Sequence, residues 1–357
     1  MNKKAVIAMS GGVDSSVAAF FMKDQGYDCI GVTMKLFHNE EVCAPRENSC
    51  CSLEDVEDAR NVAHSLGMPY YVFNFTDRFR EDVIDRFVHA YETGATPNPC
   101  IDCNRYLKFE KLFFRAQELN YDYVVTGHYA RIAYDESAGR YLLKKALDET
   151  KDQSYVLYSM TQEQLAHTLF PLGDLCKTEV RKIAEAHGFV NAKKHDSQDI
   201  CFVQSGTYAD FIRQYTGKTY PPGKFVLKNG TVLGEHKGII HYTVGQRKGL
   251  GIAYQEPLYV AEINVPDNTV VLGTDSDLYS KTLTANHINL IAVDKIEKPT
   301  RVKAKVRYRQ AEQPATVIQT GEDSITVEFD EPQRAVTKGQ AVVLYDGDTV
   351  LGGGTIQ

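Results

Sequence analysis

The sequence predicts a chain of three parts: an α/β domain with a parallel sheet, a small β-rich central domain and a C-terminal β-barrel. Short β-rich runs alternate with helical patterns up to about residue 210, which is typical of a parallel sheet covered by helices on both faces. A Gly- and Pro-rich stretch, TGKTYPPGKF, follows at residues 216–225. From about residue 280, apolar residues recur with period two between turns, which is typical of a small barrel.

The α/β part contains four strand candidates and two helix candidates. The runs that predict strands are KAVIAMS (4–10), CIGVTMKLF (29–37), PYYVFNF (69–75) and YDYVVTGH (121–128). Helical spacing of apolar residues predicts helices over 14–25 and 53–67, the second with Ser52 as its candidate N-cap and Gly67 at its end. Because parallel sheets bind ligands at the carboxyl ends of their strands, we expect a site there.

The composition shift places the domain boundaries. We expect the α/β domain at 1–213, the central domain at 214–278 and the barrel at 279–357. Within the central domain, residues 225–275 predict short strands with glycine turns. The barrel strands are predicted from TRVKAKVRYRQ, ATVIQT, SITVEF and AVVLYDGDTVLGGGTI.

The composition is that of an ordinary globular protein, with 43% apolar and 24% charged residues. No run approaches the ~18 consecutive apolar residues of a membrane span, and the opening MNKKAVIAMSGG predicts a strand rather than an export signal. We therefore expect a cytoplasmic protein without a membrane partner. We also expect a monomer, although the sequence itself does not show the oligomeric state. Eight cysteines are too few for a disulfide framework, so we expect them to be reactive, metal-binding or buried.

The net charge of −7 argues against a nucleic-acid partner, but the distribution of charge argues for one. Residues 213–250 carry seven Lys and Arg side chains against one acid, and residues 295–309 also carry seven against one. A phosphate backbone responds to local fields, so these stretches predict contact with nucleic acid. In RVKAKVRYR (301–309), alternation on a strand would give one basic and one apolar face. The alternative is a solvated strand, which would mix charges of both signs.

The strongest local signal is the loop Ser10-Gly11-Gly12-Val13-Asp14-Ser15-Ser16, between the first predicted strand and helix. The two glycines permit backbone conformations closed to other residues, so loop N–H groups and the helix N-terminus can face one point. The alternative is a serine-capped turn that binds nothing. The pattern is neither the Walker motif nor the dinucleotide fingerprint. It resembles the pyrophosphate loop of the ATP pyrophosphatase (PP-loop) superfamily, which implies cleavage of ATP between its α and β phosphates and adenylation of a substrate.

Two cysteine motifs lie far apart in the sequence, ATPNPCIDCN at 95–104 and SQDICF at 197–202. Prolines 97 and 99 restrict the chain, so we expect Cys100 and Cys103 on or beside a loop. Their C-x-x-C spacing has three interpretations: a redox pair, half of a metal site, or chance. No second C-x-x-C at zinc-finger spacing follows, which argues against structural zinc.

The remaining cysteines carry less information. Cys29, in a predicted strand, and Cys176, beside a helix start, are predicted to be small buried hydrophobic residues. Cys43, Cys50 and Cys51 lie in a polar segment, and the sequence assigns them no role.

Taken together, the phosphate loop, TPNPCxxCN, GHYAR (127–131), KDQSYVL (151–157) and SQDICF resemble the tRNA-specific 2-thiouridylase (MnmA or TrmU) family. The resemblance extends through GEHKGIIHYTVGQRKGLGI and KVRYRQ to the last strands. It implies a tRNA-uridine 2-sulfurtransferase that adenylates C2 of uridine 34, the wobble base, in tRNAs for Lys, Glu and Gln. The products would be 2-thiouridine, AMP and pyrophosphate. The implied partners are the tRNA anticodon arm and a sulfur-donor protein, either a cysteine desulfurase or a sulfur-relay protein.

The resemblance also assigns roles to the cysteines. Cys201 would carry a persulfide and Cys103 would be the partner nucleophile. Two thiols suit this chemistry because one carries the extra sulfur while the other breaks the S–S bond. The chain departs from the family at Cys100, where the family has an aspartate proposed as an acid or base. The alternative is that Cys100, Cys103 and Cys201 together ligate an iron–sulfur cluster.

Two further residue sets are implied by the resemblance. The ATP set, with Mg²⁺ as companion ion, has Ala8, Met9, Ser10, Gly11, Gly12, Val13, Asp14 and Ser15 at the phosphates and Met34 and Gly127 at the adenine and ribose. The tRNA set has Asn98, Pro99 and Cys100 against the flipped target base, and His128, Lys151, Asp152, Gln153, Arg307, Tyr308 and Gln340 elsewhere. For His128 the alternative is a hydrogen-bonded core histidine, and for Tyr308 inward packing.

Two other functions stay open on the sequence. Another ligase of the ATP pyrophosphatase type would share the phosphate loop but would need neither the pair Cys103 and Cys201 nor a basic strand. A non-catalytic RNA-binding protein that uses ATP as a switch would bind tRNA without releasing pyrophosphate. Replacement of Cys201 by serine tests the first of these, and pyrophosphate release on addition of tRNA tests the second.

Overall fold

The structure is a computed structural model that describes residues 3–37, 53–194, 200–203 and 206–357. The chain divides into two compact units, the first formed by Met1–Val83, Pro99–Ser205 and Gly347–Leu351 and the second by Ile84–Asn98, Gly206–Asp346 and Gly352–Gln357. The strands are β1 (Lys4–Ala8), β2 (Asp28–Lys35), β3 (Tyr70–Asn74), β4 (Tyr123–Val125), β5 (Arg131–Asp135), β6 (Arg140–Lys144), β7 (Thr168–Leu169), β8 (Gly223–Leu227), β9 (Val232–His236), β10 (Tyr259–Asn264), β11 (Thr269–Gly273), β12 (Tyr279–Leu290), β13 (Thr300–Lys305), β14 (Gln313–Gly321), β15 (Ser324–Arg334), β16 (Ala341–Asp346) and β17 (Thr349–Ile356). The α-helices are α1 (Val13–Asp24), α2 (Leu53–Ser65), α3 (Thr76–Phe79), α4 (Asp85–Glu92), α5 (Pro99–Asp102), α6 (Leu112–Glu118), α7 (Ser154–Leu157), α8 (Gln162–Ala166), α9 (Lys177–Ala186) and α10 (Tyr208–Thr216). Two π-helical segments, Arg80–Ile84 and Cys103–Lys111, and two 3-10 turns, Ile239–His241 and Asp275–Leu278, complete the set.

The first unit is built on a five-stranded parallel sheet with the strand order β3-β2-β1-β4-β7. Val6 lies opposite Ile30 of β2 and Val124 of β4, so β1 is the central strand. Parallel neighbours need crossover connections, and helices supply them here. The predicted parallel α/β domain is confirmed.

β1 shows that both faces of this sheet are covered. Ala5 and Ile7 pack into one core with residues of α1, α2 and α9, whereas Val6 packs into a second core with residues of α6. Successive residues of a strand point to opposite faces, so a strand with a helical layer on each side is apolar throughout. This explains why KAVIA shows no polar alternation.

The predicted elements of the first unit match the observed ones within a few residues. The helices predicted at 14–25 and 53–67 are α1 and α2, and the four predicted strands are β1 to β4. The fourth is shorter than predicted, because β4 ends at Val125 and the following residues form a loop. Ser52 lies outside the described residues. Within the described ranges, no helix combines the length and apolarity needed to cross a bilayer.

A β-hairpin of β5 and β6 also belongs to the first unit. Lys144 at the end of β6 pairs with Arg131 of β5 and with Thr349. The guanidinium of Arg131 lies 3.1 Å from Oδ2 of Asp348. The segment Gly347–Leu351 is thus held in the first unit although it lies near the end of the chain.

The second unit contains a four-stranded sheet and a six-stranded barrel. In the sheet, ordered β10-β11-β8-β9, only β8 and β11 are parallel. The barrel strands follow the order β12-β15-β14-β13-β16-β17, and pairing of β12 with β17 closes the barrel. Buried residues at alternate positions, such as Val302 and Ala304, fill its interior. The predicted β-rich region and C-terminal barrel are confirmed.

Candidate functional site

The phosphate loop connects the end of β1 to the start of α1. Gly12 is the N-cap of α1 and provides no side-chain cap, so the first N–H groups of the helix face the loop. The Ser15 hydroxyl donates to the carbonyl of Gly12 at 2.9 Å and accepts the N–H of Ser10 at 3.2 Å. Gly11 has φ +76°, and a Cβ there would lie 2.7 Å from Cα of Asp55. This geometry, which only glycine permits, is that of helix N-termini that bind phosphate.

Asn191 holds the loop in place from outside its own sequence. Its Nδ2 donates to the carbonyl of Gly11 and the hydroxyl of Ser16, both at 2.9 Å. Three residues further on, Nζ of Lys194 lies 2.7 Å from a carboxylate oxygen of Asp55, in α2. Segment 191–194 is therefore tied both to the loop and to α2. No local motif marks Asn191, because its partner Gly11 lies 180 residues away.

Asp14, in the first turn of α1, is bonded to a buried lysine. Nζ of Lys177 lies 2.7 Å from Oδ1 and 2.6 Å from Oδ2 of Asp14, and the Tyr129 hydroxyl donates to the same carboxylate at 2.8 Å. Lys177 is 8% exposed and is the first residue of α9. The ion pair holds the Lys177 ammonium beside the phosphate loop, where it could turn to anionic phosphates. Sequence reasoning found Asp14 but missed Lys177.

Met34 and Gly127 lie near the carboxyl ends of β2 and β4, the two neighbours of β1. A Cβ on Gly127 would lie 2.7 Å from the carbonyl carbon of Asp14 and 2.8 Å from the nitrogen of Ser15. The backbone that follows β4 therefore contacts the first turn of α1. The residues predicted for ATP thus gather at one edge of the parallel sheet, where such sheets bind ligands.

Cys100 and Cys103 follow the predicted loop but are themselves helical. Cys100 is exposed within α5, and the half-buried Cys103 opens the π-helix Cys103–Lys111. Pro99 does not prevent this, because it is the first residue of α5, where a missing N–H costs no helical bond. Nδ2 of Asn104 donates to the carbonyl of Val156 at 3.0 Å and anchors the π-helix at its start. Such helices are rare and are frequently found at functional sites.

Cys201 lies in a turn and is half-buried. Its neighbour Phe202 is 1% exposed, and the Phe202 ring centre lies 5.7 Å from that of Phe79 in α3. The same α3 contacts the π-helix that Cys103 opens. The two cysteine motifs therefore share α3 as a packing partner. Residues 197–199 of the second motif lie outside the described residues.

The cysteines form no metal centre in the part of the chain that the structure describes. There, no group of three or more His, Cys, Asp or Glu side chains is placed to hold a metal ion. Cys100, Cys103 and Cys201 are all described, so this donor set does not fit an iron–sulfur cluster in this structure.

Cys29 and Cys176 differ from each other. Cys29 is 1% exposed, and burial raises the pKa of its thiol to about 11, which confirms the prediction of a small core residue. The same prediction is wrong for Cys176, which is half-buried at the N-cap of α9. Its N–H donates to the Glu179 carboxylate at 2.7 Å, so Cys176 lies at the capped start of α9 and not within the core. Cys43, Cys50 and Cys51 lie outside the described residues.

His128 is buried between aromatic rings. It is 8% exposed, its Nδ1 lies 2.6 Å from the Thr126 hydroxyl, and Phe109 and Phe170 each lie 5.8 Å away between ring centres. Burial holds the pKa of His128 well below 6.5, so the ring is neutral at pH 7. This is the environment of a hydrogen-bonded core histidine. Contact with tRNA stays a prediction.

Lys151, Asp152 and Gln153 lie just before α7, where two of them organise backbone. Asp152 accepts the N–H groups of Ala146 at 3.0 Å and of Ser154 at 3.2 Å. Oε1 of Gln153 accepts the N–H of Tyr129 at 2.9 Å, and the N–H of Gln153 donates to the carbonyl of Tyr129, also at 2.9 Å. Because Tyr129 bonds Asp14, Gln153 is connected to the phosphate loop, a link that the sequence did not suggest.

In the second unit, the predicted basic strand is shorter than expected. β13 ends at Lys305, and Arg307 and Tyr308 lie in the following turn, both half-buried. The strand ends there because its pairing with β16 stops at Lys305, and the Arg307 guanidinium bonds groups outside β13, including the carbonyl of Ala335 at 3.1 Å. Up to Val306 the predicted alternation of outward basic and inward apolar residues is confirmed.

Acidic side chains from outside the two basic stretches balance part of their charge. Arg301 forms a two-pronged ion pair with Asp330, both contacts at 2.7 Å. In the first stretch, Arg213, Lys218 and Lys228 each lie within 2.7 Å of a carboxylate. The field available to a phosphate backbone is therefore weaker than the sequence count predicts.

Gln340 is 9% exposed and bonds the protein's own backbone. Its Nε2 donates to the carbonyl of Thr96 at 2.7 Å and to that of Pro97 at 3.2 Å. These residues directly precede Asn98, which is half-buried, and Pro99, which is buried. The structure thus brings Gln340 to the motif predicted to receive the target base.

Comparison with known proteins covers nearly the whole chain. Three family models match: the tRNA methyl transferase HUP domain at residues 3–205, the tRNA methyl transferase PRC-barrel domain at 209–274 and the aminomethyltransferase beta-barrel domain at 280–356. A tRNA-specific 2-thiouridylase MnmA of Clostridioides difficile is 54% identical over 100% of this chain and 99% of its own. Relatives of the same name from Acetivibrio thermocellus (99% of each chain) and a Thermoanaerobacter species (100% of this chain, 98% of its own) are each 53% identical.

Proposed function

The chain belongs to the tRNA-specific 2-thiouridylase (MnmA) family, and we propose that it is a tRNA-uridine 2-sulfurtransferase. Its substrates would be ATP and uridine 34 of the tRNAs for Lys, Glu and Gln, and its products 2-thiouridine, AMP and pyrophosphate. The observation that carries the proposal is the open phosphate loop at the end of β1, in the same compact unit as Cys103 and Cys201. We further propose that segments 1–213, 214–278 and 279–357 act as catalytic, central and barrel domains.

The first step of the proposed reaction is adenylation. The C2 carbonyl of uracil is a poor electrophile because its oxygen leaves badly. Attack of that oxygen on the α-phosphate of ATP expels pyrophosphate and converts the oxygen into part of an AMP leaving group. The loop N–H groups and the N-terminus of α1 would hold the phosphates, and Lys177 is placed to balance their charge.

The Asp14 carboxylate is an oxygen donor of the kind that Mg²⁺ prefers, and it would have to exchange its bonds to Lys177 for the ion. Mg²⁺ that accompanies ATP uses only one or two protein carboxylates together with phosphate oxygens, and Asp14 is the carboxylate in the first turn after the loop. When bound, the ion would neutralise charge on the departing pyrophosphate. The loop and Lys177 would then orient the triphosphate.

The second step is sulfur transfer. The outer sulfur of a Cys201 persulfide would attack C2 and release AMP, which leaves Cys201 joined to the base through an S–S bond. The Cys103 thiolate would attack Sγ of Cys201, so that 2-thiouridine leaves and a Cys103–Cys201 disulfide forms. An external thiol would reduce this disulfide before the next cycle. The shared packing of both motifs against α3 supports this pairing.

We favour this route over the cluster because, among the described residues, no group of three or more His, Cys, Asp or Glu side chains is placed to hold a metal ion. Cys100, exposed at the start of α5, would take the place of the family's aspartate and move a proton near the base. The sulfur would come from a cysteine desulfurase or a sulfur-relay protein, and the enzyme would act as a cytoplasmic monomer. Iron and sulfide assays after anaerobic reconstitution test the choice, since stoichiometric iron would contradict it.

Nucleoside mass spectrometry of tRNA tests the proposed function directly. Unmodified tRNA for Glu is incubated with the protein, ATP, Mg²⁺ and a persulfide source, and 2-thiouridine is expected at position 34. Cys201→Ser should abolish the product, whereas Cys29→Ser, at a buried cysteine outside the site, should retain it. ATP cleavage without 2-thiouridine would contradict the proposal and indicate another ligase on the same phosphate loop.

A further inference from the structure

The connection between β15 and β16 is bonded to the loop that precedes Asn98, and both lie in the second unit. The N–H of Thr96 donates to the carbonyl of Lys338 at 2.8 Å. Gln340 returns the contact, with Nε2 donating to the carbonyls of Thr96 and Pro97. Three hydrogen bonds therefore fix two consecutive residues of the loop. The side-chain amide nitrogen of Gln340 has two hydrogens, and both are used in hydrogen bonds to this loop.

Gly339 allows the two backbones to approach each other. It has φ +88°, and a Cβ there would lie 3.0 Å from Cβ of Ala95 and 3.2 Å from the nitrogen of Thr96. Ala95 is itself 7% exposed. The contact is therefore a close-packed junction, and a larger residue at position 339 would push it apart.

Arg307 forms hydrogen bonds with the start of the same connection, at residues 335–337. Its Nη2 lies 2.6 Å from the Thr337 hydroxyl and 3.1 Å from the carbonyl of Ala335. Thr337 is 2% exposed, and its hydroxyl donates a hydrogen bond to the same carbonyl at 2.8 Å. Ala335 has φ +52°, a conformation that costs a non-glycine residue free energy and persists only where its surroundings impose it. Arg307 and Thr337 supply that constraint.

We propose that Gln340 is a positioning residue for the target-base loop, and that Arg307 acts with it by holding the connection on which Gln340 stands. The inference rests on the proposed function, because it concerns how the barrel sets the backbone that leads into Asn98. The resemblance implies that both side chains contact tRNA directly. Gln340 is buried, Arg307 is half-buried, and both bond protein backbone, which supports an indirect role in which they fix where the flipped base is received.

The two roles predict different kinetics. A residue that only binds tRNA changes KM when it is replaced, while saturating tRNA restores the rate. A residue that sets the geometry of the reacting base changes kcat, since a displacement of about 1 Å can cost about 100-fold in rate. Loss of Gln340 should therefore lower kcat and leave KM for tRNA nearly unchanged.

Gln340→Glu tests this with the least change of shape. It replaces the donating amide by a carboxylate that faces two carbonyl oxygens, so the loop should be released. Gln313→Glu is the matched control, because it adds the same charge to a barrel strand where the amide donates to Ala311, two residues away. We expect kcat for 2-thiouridine formation to fall at least 10-fold in Gln340→Glu, with KM for tRNA within twofold, and neither to change in the control.

Hydrogen exchange supplies a readout that needs no activity. The Thr96 amide should exchange at least 10-fold faster in Gln340→Glu than in wild type or Gln313→Glu, while amides of β1 keep their protection. If Gln340→Glu fails to fold, Gln340→Met gives the same test without a charge. Unchanged Thr96 exchange in the folded variant, or a rise in KM at constant kcat, would overturn the inference. Absence of 2-thiouridine with wild-type enzyme would instead count against the proposed function, and the exchange result would still decide whether Gln340 holds the loop.

Discussion

Gly127→Ala should weaken ATP binding, because the added methyl group would clash with the backbone at the start of α1. The added Cβ would lie 2.7 Å from the carbonyl carbon of Asp14 and 2.8 Å from the nitrogen of Ser15, whereas ordinary contacts begin at 3.4 Å. Both atoms belong to the backbone of the first turn of α1, so no side-chain rotation can relieve the clash. The helix start and the segment after β4 must separate by about 0.7 Å, and overpacking of this size typically costs about 1–3 kcal/mol.

The cost should appear in ATP affinity because the displaced turn carries the N–H groups that face the phosphates. A loss of about 1.4 kcal/mol corresponds to a tenfold rise in Kd. We therefore expect the Kd of ATP, measured by isothermal titration calorimetry, to rise about 10-fold or more in Gly127→Ala. The melting temperature of the variant, measured in parallel, reports whether the protein stays folded.

Gly139→Ala is the matched control. Gly139 lies in the β5–β6 turn with φ +63°, and no atom lies within 4 Å of the position that a Cβ would take. This substitution carries about 1–2 kcal/mol of backbone strain but no clash near the loop. It should lower stability and leave the Kd of ATP unchanged. A folded Gly127→Ala protein with wild-type ATP affinity would refute the argument, because the turn after β4 would then have no influence on the phosphate site.

Three further outcomes follow from the same structure. Arg307→Glu should lower kcat for 2-thiouridine formation at least 10-fold and leave ATP binding intact, because Arg307 holds the connection on which Gln340 stands; weaker tRNA binding in filter-binding assays at constant kcat would instead indicate direct contact with tRNA. Cys29 should resist iodoacetamide in the folded protein at pH 8, because burial raises its thiol pKa to about 11, and rapid native-state alkylation would contradict that burial. The low pKa of folded His128 means that the unfolded chain binds more protons below pH 6.5. Its contribution to stability is therefore lost as pH falls below 6.5, by up to about 1.4 kcal/mol per pH unit, and urea titrations should show a shallower pH dependence in His128→Gln.

Local periodicity explains why much of the fold could be predicted. β1 and the phosphate loop are contiguous, and the alternation of Ala5 and Ile7 with Val6 is visible without knowledge of their partners. The barrel strands carry the same short-range information. The π-helix that begins at Cys103 could not be predicted, because its one-residue widening leaves no distinct pattern of apolar residues.

The groups that complete the phosphate site come from distant parts of the chain. Lys177 lies 163 residues from Asp14, and Asn191 lies 180 residues from Gly11. Neither is marked by a local motif, because a lysine at a helix start and an asparagine in a loop are common features of folded proteins. Such partners become visible only when the sheet brings the carboxyl ends of its strands to one edge.

The tRNA set shows a different limit of sequence reasoning. Resemblance identifies which positions matter, but it does not separate a side chain that touches RNA from one that holds the backbone beside it. Gln153 and Gln340 are both implied as tRNA contacts, yet each uses its side-chain amide on protein backbone, at Tyr129 and at Thr96. An amide atom that is already bonded to protein backbone must give up that bond before it can bond RNA, and breaking the bond would loosen the loop that it supports. For these two residues, the ratio of the effect on kcat to the effect on KM is therefore the quantity that distinguishes the two roles.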